Sequence, residues 1–205
     1  ILTPQAKRGE SRLILGTQPI GWQQDDQLVV TGTLPGDPRS DEIRSINQIS
    51  GNEVWLNSPL AIDHVAPLPT LNVYVANITR NIEFRSENTV VSRRGHIMFP
   101  HNQDVEIHNV RFSELGRTDK TQPLDDFRFD FHDGGDGDDA PATAEIVSLG
   151  GSNVRGRYAV HFHRTGTDVT TKAAQVKGSV VYNGAGWGFV SHYWHVDCMA
   201  TVATG

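Results

Sequence analysis

The chain has 205 residues and a formal net charge of -6, with 20% charged residues, 37% hydrophobic residues and 20 glycines. An acidic balance without a long basic run gives little electrostatic support for nucleic-acid binding, and no apolar run reaches the roughly 18 residues that a membrane-spanning helix needs. The single cysteine, Cys198, excludes an internal disulfide and a zinc-cysteine cluster. We therefore expect neither a nucleic-acid partner nor a membrane span in this chain.

The first 71 residues alternate short β-type runs with turn clusters. The run DQLVVTGTL is followed by PGDPRSDE and then by IRSINQISGNEVWLNSPL. Gly, Pro, Asn and Asp bound each run, and each of these residue types favours turns for its own backbone reason. The pattern predicts that residues 1–71 form a small N-terminal β portion that acts as a cap.

Residues 72–205 have a different sequence pattern, in which short units of alternating apolar and polar residues end in Asn, Gly or Asp. Examples are NVYVANIT, RNIEFRSEN and AAQVKGSVVYN. Helical periodicity is nearly absent, and repeats of this kind favour a solenoid whose coils each contribute two or three short strands. We predict an all-β protein with a right-handed parallel β-helix over 72–205. A β-sandwich is the alternative, although hairpin dipeptides such as Asn183-Gly184 are sparse.

One acidic, glycine-rich segment interrupts the repeats. The sequence HDGGDGDDAPA occupies residues 132–142. We predict a solvated loop inserted into one coil. Oxygen-rich, glycine-containing loops also bind calcium, so the segment is a candidate calcium site, although its spacing does not fit an EF-hand.

The stretch RGRYAVHFHRTG, residues 155–166, places two histidines two residues apart in a segment that otherwise resembles a strand. Successive side chains of a strand point to opposite faces, so His161 and His163 share one face while Val160 and Phe162 share the other. The segment therefore presents one apolar face and one face of imidazoles.

Three late units can be aligned as successive coils: IMFPH at 97–101, AVHFH at 159–163 and GFVSH at 188–192. In this register His101, His163 and His192 fall in one column, with adjacent coils about 4.8 Å apart. Three interpretations follow. The imidazoles could bind a divalent metal, act as general acid or base on a bound substrate, or bond to one another and stiffen the coil edge.

Arginines and aromatic residues near these units indicate the substrate class. Guanidinium groups bind carboxylates and sulfates in a bidentate manner, and flat rings stack on sugar faces. A basic groove would suit a uronic-acid polysaccharide. The residues that supply these groups are Arg94, Arg155, Arg157, Arg117 with Asp119, and Trp194. Arg117 and Asp119 could instead pair with each other, and the alternation around Trp187 favours a core position for that residue.

Several long motifs resemble the eight-glycine-domain proteins, a family that includes cell-migration-inducing hyaluronidases and fibrocystin-like receptors. The resemblance spans residues 22–197 and rests on WQQDDQLVVTGT, NSPLAIDH, RGHIMFPHNQDVEIHNVRFSELGRTDK, RGRYAVHFHRTG and GSVVYNGAGWGFVSHYWHVD. It implies a right-handed parallel β-helix, an extracellular or cell-surface setting and, for some members, calcium-dependent depolymerisation of hyaluronan. The glycine-rich domain that precedes this region in the family is missing, so a fragment of a larger protein or a natural short relative is expected.

The sequence leads to an enzyme hypothesis and two alternatives. In the enzyme, a hydrolase or lyase, Arg155 and Arg157 neutralise a uronate carboxylate and His161 or His163 moves a proton at the scissile bond. The candidate substrate-binding residues are Arg94, His101, Arg117, Asp119, His192 and Trp194. Calcium or another divalent metal is the candidate cofactor, and an anionic polysaccharide such as hyaluronan is the expected partner. The alternatives are a non-catalytic glycan- or protein-binding module and a structural spacer of a larger extracellular protein.

Overall fold

The structure, a computed structural model, describes residues 1–3, 6–34, 40–66, 68, 70–102, 104–126, 128–132, 143–148, 150–164, 172–192 and 195–204. It divides into two compact units, Ile1–Asn81 (unit 1) and Ile82–Gly205 (unit 2). The regular elements of the described residues are strands, apart from one 3-10 turn at Val91–Arg93. None of these residues belongs to a helix long and apolar enough to cross a membrane. The prediction of an all-β protein is confirmed.

Unit 1 is a six-stranded antiparallel sheet. Its strands are β1 (Leu2–Thr3), β2 (Arg12–Ile14), β3 (Gln27–Val30), β4 (Glu42–Ser50), β5 (Glu53–Leu56) and β6 (Val73–Asn77). Their spatial order is β1-β6-β3-β4-β5-β2. Gly51, whose φ is +58°, provides the left-handed backbone that the tight turn between β4 and β5 requires.

The core of unit 1 comes from the inward side chains of these strands. Leu28 and Val30 of β3 pack with Ile46 and Val54, and all four are fully buried. The sequence pattern places the end of the N-terminal portion at residue 71. The observed unit extends to Asn81 because β6 pairs with both β1 and β3 and so completes the same sheet.

Unit 2 contains twelve described strands. They are β7 (Ile82–Arg85), β8 (Ile97–Pro100), β9 (Glu106–His108), β10 (Val110–Ser113), β11 (Arg128–His132), β12 (Thr143–Ser148), β13 (Val160–His163), β14 (Ala174–Lys177), β15 (Val180–Tyr182), β16 (Phe189–His192), β17 (Val196–Met199) and β18 (Val202–Ala203). Ten of them form three parallel sheets, ordered β18-β15-β10-β7, β16-β13-β8 and β17-β14-β9. The chain visits these three sheets in the same order on each pass.

Parallel pairing brings like side chains of successive passes into contact. Phe112 stacks on Phe84 with ring centroids 5.8 Å apart, and Phe162 stacks on Phe99 at 5.3 Å. Phe112 and Phe162 are buried with the valines of neighbouring strands. The alternation of apolar residues in the sequence therefore forms a continuous core along unit 2.

Of the two predicted strand alignments of the histidine units, one is confirmed and one is wrong. His163 pairs with His192 as expected, so the alignment of β13 with β16 is confirmed. The alignment of β8 is wrong by one residue, because His163 pairs with Pro100. His101 lies one residue past the strand in a left-handed conformation, with a φ of +54°, and its N–H donates to the His163 carbonyl.

A hairpin interrupts the passes between β10 and β13. Strands β11 and β12 pair in antiparallel fashion, and their sheet contains no third strand among the described residues. The predicted acidic insert at 132–142 falls between these strands, and beyond His132 it lies outside the described residues. The candidate calcium site of that loop stays a prediction.

Candidate functional site

Three histidine side chains, named here the histidine trio, meet where strands β13 and β16 run side by side. His161 and His163 belong to β13 two residues apart, and His192 is the pairing partner of His163 on β16. One ring nitrogen from each residue can be chosen so that all three lie within 4.8 Å of one another. His161 is fully buried, whereas His163 and His192 are half-buried. The parallel register therefore gathers three imidazoles at one point.

Hydrogen bonds fix the orientation of His161. Its Nδ1 lies 2.8 Å from the Gly156 carbonyl oxygen, which can only accept, so this nitrogen carries the proton. Its Nε2 lies 3.0 Å from Nδ1 of His192, and the lone pair of Nε2 accepts from that N–H. Nδ1 of His163 is buried and has no hydrogen-bond partner among the described residues.

Burial favours the neutral form of two members of the trio, His161 and His163. Removal from water lowers the pKa of His161 below its ordinary value, and nearby His192 and His163 lower it further, against the opposing hydrogen bond to Gly156. Burial also lowers the pKa of His163, with help from the positive charge of Arg164. Both imidazoles therefore keep a lone pair at neutral pH, which a proton or a metal can use.

The trio forms part of the wall of an open groove with a volume of about 610 Å³. The described residues that line this groove are Lys120, Leu124, Arg155, Gly156, Tyr158, His161, His163, Trp187 and His192. Trp187 is 52% exposed, so the interpretation of this residue as core is wrong. Its ring lies 5.2 Å from that of buried Tyr158, and Nζ of Lys120 lies 4.1 Å from the Trp187 ring. The groove thus offers a half-exposed tryptophan ring with a cation over it.

Arg155 adds a second cation to the groove. Its side chain is 72% exposed, and Nε lies 2.6 Å from Oδ2 of Asp126. The backbone N–H of Arg155 donates to Oδ1 of the same carboxylate. Asp126 therefore holds the Arg155 backbone and one edge of its guanidinium, while the rest of the side chain faces solvent.

Three other predicted site residues have structural partners away from the groove lining. Arg94 is buried, forms an ion pair with Glu114, and donates to the carbonyls of Thr89 and Asn183. Nη1 of Arg117 lies 3.4 Å from the Arg94 carbonyl oxygen. The carboxylate of Asp119 accepts hydrogen bonds from the N–H and hydroxyl of Thr121, which lower its pKa.

The remaining candidates are Arg157, His101 and Trp194. Nη1 of Arg157 lies 3.5 Å from the Ser152 carbonyl oxygen, and its backbone N–H donates to the Thr118 hydroxyl. The side chain of His101 is exposed and does not belong to the trio. Trp194 lies outside the described residues. Of the predicted arginines, Arg155 alone belongs to the described groove lining.

Lys120 and Tyr158 line the groove but are not among the site residues predicted from the sequence. Lys120 follows β10 by several residues in the segment before the hairpin, so only the tertiary path brings it above Trp187. Tyr158 stands beside the histidines in the motif RGRYAVHFHRTG, and this proximity in the sequence indicates a position near the site. The glycines on both sides of Trp187 were a signal for a turn rather than a core strand.

The calcium implied by the family resemblance does not fit the trio. Calcium takes six to eight oxygen ligands, whereas the trio offers imidazole nitrogens, and no described Asp or Glu lines the groove. Neutral imidazoles instead suit zinc, copper, nickel or cobalt. A calcium role for this chain would have to come from other residues.

Comparisons with known proteins place few constraints on the chain. No protein-family model matches it, and no curated protein matches it. Among solved structures, the tailspike protein gp49 from Pseudomonas phage LKA1 aligns over 100% of this chain with 11% sequence identity and a TM-score of 0.32. The chain spans 31% of the length of that tailspike chain.

Proposed function

We propose that unit 2 is a right-handed parallel β-helix. Three parallel sheets visited in a fixed order support this fold. Left-handed residues recur at one corner: Asn109 between β9 and β10, Gly178 between β14 and β15, and Ala200 between β17 and β18. Right-handed connections between parallel strands are the strongly preferred hand. The prediction that unit 1 caps this solenoid stays a prediction.

We propose that the groove of unit 2 binds an anionic, uronic-acid polysaccharide such as hyaluronan. The observation that carries the proposal is the exposed Trp187 ring with the Lys120 ammonium 4.1 Å from it. An aromatic face packs against the apolar face of a pyranose ring, and a neighbouring cation attracts its carboxylate. Arg155 provides a second positive charge in the same groove.

Titration with oligosaccharides of hyaluronan and chondroitin sulfate, and with neutral dextran, tests this binding function. We expect the two anionic glycans to bind and their affinity to fall as salt rises, because exposed charges are screened. Lys120→Ala should weaken binding about 3- to 5-fold, the scale of one exposed ion pair. Lys7→Ala, which removes an exposed lysine in unit 1, should leave it unchanged. Equal affinity for dextran, or an equal loss in both variants, would reject the anionic groove.

Cleavage of the bound glycan is a second candidate function, favoured by the neutral histidines in the groove. The described lining contains no carboxylate pair of the kind that hydrolases use, which favours β-elimination. In that step Arg155 and Lys120 neutralise the uronate carboxylate. A ring nitrogen of His163, or Nε2 of His161 after its hydrogen bond from His192 has opened, removes the proton next to it. The C4–O bond then breaks, a C4=C5 double bond forms, and the leaving oxygen takes a proton from solvent or from the histidine that has just gained one.

Products distinguish elimination from hydrolysis. Incubation with hyaluronan should give shortened chains with a new ultraviolet-absorbing unsaturated end, and His163→Ala should abolish the shortening. New reducing ends without that absorbance would reject elimination. Unchanged chain length with retained binding would leave a binding module, and no affinity for any glycan would favour a spacer. Membership of the eight-glycine-domain family and an extracellular setting remain proposals drawn from the sequence motifs.

A further inference from the structure

Hydrogen bonding within the histidine trio leaves one buried ring nitrogen, Nδ1 of His163, without a partner among the described residues. The proton of His161 on Nδ1 is committed to the Gly156 carbonyl, so Nε2 presents its lone pair inward. A buried imidazole nitrogen without a hydrogen bond is costly, and a shared cation at this point would remove that cost.

The spacing of the nitrogens suits one metal ion. Two imidazole nitrogens bound tetrahedrally to zinc at about 2.0–2.1 Å lie about 3.3 Å apart. Nε2 of His161 and Nδ1 of His192 lie 3.0 Å apart, and the full set of three lies within 4.8 Å. Small rotations of the half-buried His163 and His192 rings, with the His192 proton moved from Nδ1 to Nε2, would complete a three-nitrogen set.

The hydrogen bond made by the other ring nitrogen of His161 also supports metal binding at the trio. Ligating histidines commonly donate their other N–H to a backbone carbonyl, which fixes the tautomer and the direction of the ring. The hydrogen bond from His161 Nδ1 to Gly156 has this form. The left-handed φ of Gly156, +84°, turns the chain just before Tyr158 and β13.

We propose that the histidine trio binds a divalent transition-metal ion through its three imidazoles, with an open coordination position toward the groove. Nitrogen ligands select zinc, cobalt, nickel or copper over calcium and magnesium. Three protein ligands with a free position are typical of metal sites that also bind a substrate oxygen. The sugar carboxylates and hydroxyls of the proposed glycan belong to that ligand class.

The metal role and the proton-transfer role exclude each other at His161. Nδ1 of that ring is protonated, so Nε2 has one lone pair, which holds either a proton or a metal. The metal proposal does not depend on glycan binding, and it is tested without any glycan.

Calorimetric titration of the chelator-treated full chain with zinc chloride tests the proposal. We expect saturable binding that His163→Gln and His192→Gln each weaken by at least about 100-fold, beyond the 10- to 100-fold typical of second-layer changes. His108→Gln, which changes an exposed histidine on β9 of unit 2, is the matched control and should bind zinc like the wild type. Circular dichroism of each variant verifies that the fold is retained.

A cobalt titration of the unmodified chain gives a reading that does not depend on variants. We expect intense visible absorption, as four- or five-coordinate cobalt with nitrogen ligands shows, and millimolar calcium should not remove it. The absence of saturable zinc binding, unchanged binding in both trio variants, or displacement of cobalt by calcium would each overturn the proposal.

Discussion

Nε2 of His161 and Nδ1 of His192 lie 3.0 Å apart, although 31 residues separate them in the sequence. The parallel pairing of β13 with β16 creates this contact, because it places His192 beside His163 and therefore next to the ring of His161. This contact lies in the groove that we propose as the glycan-binding site, because Trp187 and Lys120 line the same groove.

The exposed ring of Trp187 should dominate glycan affinity. Trp187→Ala removes the aromatic face, and we expect at least about a tenfold loss of affinity for a hyaluronan oligosaccharide, since ring contacts contribute about 1 kcal/mol or more beyond their buried area. Isothermal titration measures the loss. Tyr74→Ala, which removes another exposed aromatic residue in unit 1, is the control. A similar loss in both variants would contradict the assigned surface.

The phenylalanine stack should stabilise unit 2. Phe162 is 1% exposed and stacks on Phe99, so Phe162→Ala should cost about 3–5 kcal/mol through lost burial and a residual cavity. Phe84→Ala removes a ring that is 53% exposed and should cost clearly less. Urea unfolding followed by circular dichroism compares the two variants, and equal losses would argue against the described core.

Gly116 should resist substitution because of backbone geometry and close neighbours. Its φ is +90°, and an added Cβ would lie 2.8 Å from the Ala185 carbonyl oxygen. Gly9 has a similar φ of +84° with nothing within 4 Å of the same position. We expect Gly9→Ala to cost about 1–2 kcal/mol, the left-handed penalty alone, and Gly116→Ala to cost more. Thermal unfolding of both variants checks the order.

Acid should destabilise unit 1 through Glu42. Burial raises the pKa of this carboxyl, but hydrogen bonds from the N–H groups of Ala61 and Ile62 outweigh it. The His64 hydrogen bond and the charge of Arg44 add to the lowering, so the folded pKa lies below its ordinary value. The stability that Glu42 contributes is therefore full above the ordinary pKa of about 4.3 and is lost as pH falls through the folded pKa.

Urea midpoints measured from neutral pH to below pH 4 test this dependence. Because other carboxyl groups also titrate there, the comparison is with Glu42→Gln, whose curve should be flatter than that of the wild type. Parallel curves would show that Glu42 does not carry the effect.

The sequence predicted the strand content and the meeting of His163 with His192, since alternation and spacing alone determine which strand residues share a face. It did not predict the position of β8, because matching His101 to the other histidines ignored the left-handed turn that follows Pro100. Side-chain identity favoured that alignment, whereas backbone hydrogen bonding determined the register.

Long-range contacts explain the remaining differences at the site. Arg94 forms an ion pair with Glu114, and its Nη1 bonds to the carbonyl of Asn183, 89 residues further along the chain, so nothing in its local sequence marks it as buried. Lys120 reaches Trp187 across a separation of 67 residues. Such partners can be identified only from the three-dimensional arrangement of the strands.

Nuclear magnetic resonance of histidine rings is the most direct test of the central claim that the groove of unit 2 binds an anionic glycan. The nine histidines of the labelled chain would be followed during titration with a hyaluronan oligosaccharide. We expect shifts of the His161, His163 and His192 ring resonances, with those of buried His64 of unit 1 and exposed His108 unchanged. Saturable binding that leaves the trio unmoved, or that shifts His64 and His108 equally, would contradict it.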